Sequence, residues 1–177
     1  ILGVTATPVR NDGKGLGDVF DEMVIGPTVA ELIEGRFLAG YDYLAPPQQV
    51  DLSGLKTRGG DYAIDQLAEA MDRAVITGDS VSHYRQHLNG RPAIVFCVTV
   101  EHAEHVAEQF RSAGFRAASV DGSMDKAERR DRIAAIGDGR LNVLTSCDII
   151  SEGTDIPAVS GAILLRPRTS LLDERSQ

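Results

Sequence analysis

The chain has 177 residues, enough for one domain or for one domain plus part of another, and its 42% hydrophobic and 25% charged content marks a globular protein able to bury a core. No window approaches the ~20 apolar residues of a membrane span, and the start ILGVTATPVR has neither the basic region nor the long apolar core of a signal peptide, so a soluble, cytoplasmic protein with no membrane contact is expected. The net charge of −8, from 18 basic and 26 acidic residues, argues against an extended, nonspecific grip on nucleic acid by this chain alone.

The charge is unevenly spread. Residues 1–89 carry 7 basic and 13 acidic side chains, whereas residues 90–177 carry 11 and 13, and ten of those eleven cations are Arg, the residue suited to bidentate phosphate contacts. Cys97 and Cys147 each end an apolar run and belong to no CxxC pair, so buried free thiols are expected. His83 and His87 lie four apart, and His102 and His105 three apart. No Cys, Asp or Glu completes a ligand set at a metal spacing, so these are read as surface histidines and no metal site is expected.

In chain order, Ile1 to Pro8 reads as a strand ending in small hydroxyl residues and a proline. The glycine-rich loop Asn11 to Gly17 contains Lys14, but a phosphate-binding loop requires Ser or Thr after the lysine and Gly15 stands there. Val29, Leu32 and Ile33 with acidic Glu31 and Glu34 predict a short helix stopped near Gly35, and Tyr41 to Leu55, with Pro46-Pro47, reads as an extended strand or strap. Lys56 to Gly60 is a polar break. Ile64, Leu67, Ala68, Met71 and Val75 give Asp61 to Ile76 one apolar helical face, and a second helix runs from Ser80 to Leu88 before the stop signal Asn89-Gly90.

From Arg91 the rhythm becomes regular. Ala93 to Val98 is a strand; Val100, Ala103, Val106, Ala107, Phe110 and Ala113 trace a helix face closed by Gly114; Phe115 to Val120 is a second strand. A helix then starts near Asp125, with Glu128 placed for a capping box, and stops at Gly137 to Gly139. Leu141, Val143 and Leu144 make a third strand and Ser160 to Leu165 a fourth, entering Arg166-Pro167-Arg168. Strands and helices in alternation imply right-handed βαβ units and a parallel sheet. Thr99, Ser123, Thr145 to Asp148 and Arg166 all follow strands and gather on the sheet's carboxyl rim, where open α/β sheets bind ligands.

The third strand and its continuation, Leu141 to Val159, can be read locally in two ways. Asp148 caps a short turn and Glu152-Gly153-Thr154-Asp155 is an ordinary polar turn, or small hydroxyls, a permissive glycine and a carboxylate form a nucleotide or phosphate site.

Several segments resemble the superfamily 2 helicases. TATP at Thr5 to Pro8 resembles motif III, AIVFCVTVEHAEHVAEQF at Ala93 to Phe110 resembles motif IV, and VLTSCDIISEGTDIPAV at Val143 to Val159 resembles motif V, in matching order and spacing. VDGSMDKAERRDRI at Val120 to Ile133 is similar to the intervening segment whose arginine faces the nucleotide or the strand. The closest likeness is to DEAD/DEAH-like DNA helicases of the repair and restriction type.

This resemblance implies an α/β, RecA-like parallel sheet flanked by helices. Residues 1–45 would be the tail of a first RecA-like domain, 46–90 a linker strand with helices, and 91–177 the second RecA-like domain. It further implies that Thr5 and Thr7 couple the ATP state to domain closure. Gly153 and Asp155, beside Glu152, would face the nucleotide, with Asp155 accepting from the ribose. Thr99, Thr145 and Ser146 would approach backbone phosphates, with Arg129 or Arg130 beside them. Hydroxyls and amides suit such contacts because they position a strand without reading bases.

The expected pattern is not complete. No P-loop or Asp-Glu acidic box precedes TATP, and Q-x-x-G-R-x-x-R, which would supply the arginine finger, does not follow Arg166. Arg166, Arg168 and Arg175 are read as surface arginines. The expectation is therefore the second domain of an ATP-dependent helicase or translocase, inactive alone. ATP and Mg²⁺ belong to the intact enzyme rather than to this chain, single-stranded nucleic acid binds weakly, and an N-terminal RecA-like domain is the partner in cis or in trans. The alternatives are a non-catalytic nucleic-acid or protein binding module, and a small-molecule enzyme of Rossmann type, which would need a G-x-G-x-x-G absent here.

Overall fold

The computed structural model describes residues 2–4, 17, 19–45, 51–58, 61–150 and 156–167, with the side chains of 74, 75, 77 and 78 set aside. Two units separate, one within residues 1–49 and one within 50–170. In the first, helix α1 (Val29–Glu34) begins with a capping box: the Thr28 hydroxyl accepts from the Glu31 amide, and the Thr28 amide donates to Glu31 Oε2 at 2.7 Å. That reciprocal pairing satisfies two of the amide donors a helix start leaves open. The helix buries none of its side chains and gives way at Gly35, followed by Arg36 at φ 61.

The second unit opens with a hairpin, β1 (Thr57–Arg58) and β2 (Asp61–Tyr62), where the sequence suggested only a polar break. In the sequence, a Gly-Gly pair between two short runs is a hairpin signal. Helices α2 (Ile64–Met71) and α3 (Ala74–His87) follow. The expected break near residues 77–79 is found instead at Asp72-Arg73, and α3 runs unbroken through Thr77-Gly78-Asp79. Glycine inside a helix costs about 1 kcal/mol. Burial of Val81 and Tyr84 further along α3 offsets it. The Tyr84 ring packs edge-on to Phe110 and Phe115 at 5.3 and 4.8 Å, and its hydroxyl donates to the Arg91 carbonyl at 2.8 Å.

Four parallel strands form the sheet: β3 (Ala93–Phe96), β4 (Ala117–Val120), β5 (Val143–Ser146) and β6 (Gly161–Leu164), in the order β4-β5-β3-β6. Helix α4 (Val100–Ser112) links β3 to β4 and α5 (Lys126–Gly137) links β4 to β5. This is the α/β arrangement expected, a parallel sheet flanked by helices. Alternate side chains feed two cores, because successive residues of a strand point to opposite faces. Ala93, Val95 and Val143 join α2, α3 and α4 through Leu67, Met71, Tyr84, Val106 and Phe110. Ile94, Leu144 and Val120 pack with Ile136 of α5 and with Ile150. Thus α2 and α3 are part of the sheet's own core.

Candidate functional site on the carboxyl rim

Register places the rim. Ala93 aligns with Val143 and Gly161, and Ala117 with Val143, so the strands end level at Phe96, Val120, Ser146 and Leu164. The residues that emerge together are Cys97, Asp121, Cys147 and Leu165, followed by Thr99, Ser123, Asp148 and Arg166.

Thr99 is the N-cap of α4, and its half-buried hydroxyl accepts from the His102 amide at 3.1 Å. It borders a cleft of about 360 Å³ shared with Asp65, Ala68, Glu69, Asp72, Glu101 and His102. Four carboxylates around that opening create a field that opposes an approaching phosphate.

Thr145 and Ser146 lie inside β5. Thr145 is fully buried and donates its hydroxyl to the Ala103 carbonyl at 2.7 Å, tying β5 to α4. The Ser146 hydroxyl accepts from the Ile150 amide at 3.2 Å. Both hydroxyls are therefore committed to the fold, because β5 is covered on both faces. The positions that reach the rim are Cys147 and Asp148, which the sequence offered in the same run without separating them from the strand.

After β4, the Asp121 carboxylate accepts from the Ser123 amide at 2.7 Å and from its hydroxyl, bonds that hold it below the usual carboxylate range. Asp125 then caps α5, accepting from the Ala127 amide at 2.7 Å and the Glu128 amide at 3.4 Å. The capping box is only half formed: Glu128 turns to Arg132 at 2.6 Å instead of reaching back.

Arg129 is half-buried and Arg130 exposed on the first turns of α5, next to the rim. Neither guanidinium has an ion pair among the described residues. Their neighbours are occupied. Arg111 holds Glu104 and Glu108, Arg132 holds Glu128, and Arg140 holds Asp131 and Asp138.

Arg166 departs from the expectation of a surface arginine: its side chain is 17% exposed and ion-paired with Asp148. Cys97 is buried with its thiol pushed up to about 12 by that burial, and Cys147, raised by burial too, donates to the Val98 carbonyl at 3.4 Å. The two are free thiols. Among the histidines, His102 is a correction: it is buried, and its Nδ1 accepts from the Val98 amide at 3.3 Å. The lack of a metal spacing had it read as a surface residue, but its ring is buried against the turn after β3. His105 is on the surface against Asp72 at 2.6 Å.

Thr5, Thr7, Glu152, Gly153, Asp155, Arg168 and Arg175 lie outside the described residues. Among the described residues, no group of three or more His, Cys, Asp or Glu is placed to hold a metal ion, and no helix is long and apolar enough to cross a membrane.

A profile of the helicase conserved C-terminal domain matches residues 71–177. The chain belongs to the helicase C-terminal domain family. Its relatives include a 51.5 kDa protein of a Lactococcus phage, 39% identical over 171 residues, which cover 97% of this chain and 37% of that protein. IRC3 of Saccharomyces cerevisiae, which carries the name of an ATP-dependent helicase, is 26% identical over 96% of this chain and 25% of its own length. The ATP-dependent RNA helicase DBP3 of Ajellomyces capsulatus is 31% identical over 58% of this chain and 24% of its own. The chain thus spans between about a quarter and little more than a third of these relatives' own length. Among solved structures, the Hef helicase domain of Pyrococcus furiosus aligns over 59% of the chain and 20% of its own length, with 23% identity and a TM-score of 0.43.

Proposed function

We propose that this helicase C-terminal domain serves as the second RecA-like domain of an ATP-dependent superfamily 2 helicase or translocase, of the DNA-repair or restriction type. It grips one nucleic-acid strand at its rim while closing on ATP held with a first RecA-like domain. Family membership carries the reading, and Arg129 and Arg130 beside the rim support it: among the described residues the nearby Arg111, Arg132 and Arg140 are neutralised by carboxylates while these two have no ion pair. Thr99 is the weaker contact, because its surroundings are acidic. Residues 1–45 act as the end of the first domain, with Thr5 and Thr7 transmitting the ATP state, and Gly153 and Asp155, with Glu152, line the nucleotide cleft. ATP with Mg²⁺ would supply the triphosphate for hydrolysis in the intact enzyme, and Gly153, Asp155 and Glu152 would hold the nucleotide from this side as the domains close on it. The described part of the rim offers the guanidinium donors of Arg129 and Arg130, which fit phosphate, and no group of three or more His, Cys, Asp or Glu placed to hold the metal.

Fluorescence anisotropy of a labelled single strand tests this reading. Arg129→Gln with Arg130→Gln weakens binding by about tenfold, as two lost phosphate contacts predict. Binding that is unchanged in this double variant, or absent in the parent chain at low salt, sinks the proposal.

A further inference from the structure

Arg166 leaves β6 mostly buried, yet its guanidinium is sparsely used. Such a group presents five N–H donors. Here Nη1 donates to Asp148 Oδ1, and among the described residues Arg166 makes no second hydrogen bond. Asp148 reaches it from the loop after β5. Because β3 lies between β5 and β6, the pair bridges the end of the intervening strand, above the turn that leads into α4. The Cys147 thiol, bonded to the Val98 carbonyl, pins the same loop to that turn.

The two partners differ in exposure. The Arg166 side chain is 17% exposed and that of Asp148 62%, so the cation is fixed by the fold while the carboxylate faces solvent. An exposed carboxylate contributes little to such a pair because water screens it. A phosphate group, with two anionic oxygens that match the planar fork, can take its place. Asp148 meets Arg166 from a left-handed backbone at φ 58, a conformation that Asp and Asn tolerate better than most residues.

We propose that Arg166 is a phosphate-binding residue of the rim and that Asp148 occupies it as a built-in competitor until a backbone phosphate of a nucleic-acid strand displaces the carboxylate. The proposal rests on the strand-gripping function above and names the group that meters it. A phosphate on free ATP has the same chemistry, so the experiment separates the two sources.

The test uses Asp148→Asn, which keeps the left-handed backbone and removes the charge, together with Arg166→Gln and the double variant. Strand affinity is measured by anisotropy at low salt. Asp148→Asn tightens binding by about 3- to 10-fold and Arg166→Gln weakens it by a similar factor. The double variant matches Arg166→Gln alone, because without the arginine the aspartate has nothing to mask. If Asp148→Asn tightens binding equally in the Arg166→Gln background, only net charge has changed and the competitor is overturned, with the strand-gripping function intact.

A second readout needs no strand. Inorganic phosphate, against chloride at matched ionic strength, raises the melting temperature of Asp148→Asn and not that of the double variant. A phosphate or ATP response that follows Arg166 while no variant binds a strand overturns the strand as ligand, and the proposed function with it. Strand binding and phosphate response that both ignore Arg166 overturn this site alone.

Discussion

At the scale of the residue, Thr145 shows how one hydroxyl is assigned by burial. Its Oγ1 donates across 2.7 Å to the Ala103 carbonyl inside a fully covered strand. Thr145→Val keeps the shape and removes that bond, so it lowers unfolding free energy by about 1 kcal/mol in urea titration. Strand affinity stays at the parent value, because no hydroxyl leaves the surface. His102 is a second such residue. Burial holds its imidazole below the ordinary value of 6.5, and among the described residues its buried Nε2 has no hydrogen-bond partner. A folded-state value below the unfolded one gives stability that is complete above the unfolded value and lost as pH falls from there toward the folded one. His105 has the opposite sign, since its bond to Asp72 raises it and that contribution fades as pH rises, but its exposure makes the term small. The urea midpoint of the parent chain therefore drops between about pH 6.5 and 5, above the carboxylate range, and His102→Gln, which keeps an acceptor for Val98, drops less. An equal drop in both would show that burial of His102 has no part in it.

At the scale of the element, α5 carries Arg129 and Arg130, which have no ion pair among the described residues, and depends on its first turn. Asp125 accepts from the amides of Ala127 and Glu128, whereas Glu128 makes only the exposed pair with Arg132. Asp125→Ala accordingly costs about 1 kcal/mol, while Glu128→Ala costs less than about 0.5 kcal/mol; equilibrium unfolding of the two variants, compared side by side, decides it. The elements of the sheet were legible in the sequence because apolar runs of strand length alternate with amphipathic helices from Ala93 onward. Their parallel pairing followed from the connections. The hairpin at Thr57–Tyr62 was not read, since two-residue strands carry no hydrophobic alternation and only the Gly-Gly pair marks them. The boundary between α2 and α3 moved because side-chain burial outweighs the local cost of Gly78. Thr145 and Ser146 are hard to place from sequence for a related reason. In a strand covered on both faces, polar residues look alike in sequence whether they bond inside or emerge at the edge, and register alone locates the end of β5 at Ser146. The rim was thus legible as a region, while which hydroxyls and arginines are open to a ligand depends on pairing that only the fold reveals.

At the scale of the whole molecule, charge decides how a strand is held. A chain of net charge −8 repels a polyanion at long range, so any grip must come from local cations that remain uncompensated. On and just after α4 and α5 part of the positive charge is cancelled: Arg111, Arg132 and Arg140 face carboxylates at 2.6 to 2.9 Å. Among the described residues Arg129 and Arg130, with Lys126 one turn earlier, have no ion pair, and they sit on one helix at the edge where the strands end. Binding through so few contacts must have a shallow salt dependence, because each phosphate neutralised on a single strand contributes about −0.7 to the slope of log affinity against log salt. Two arginines contribute about −1.4 to that slope, and the double variant makes it shallower by that amount, leaving what Lys126 and Arg166 add. Titrating a labelled single strand at several chloride concentrations measures it directly. A parent slope much steeper than this would mean that cations outside α5 share the load. A slope unchanged in the double variant would mean that α5 does not touch the backbone. Under the proposed function the negative remainder of the surface has its own effect: it opposes random contact with nucleic acid and so favours contact at the rim.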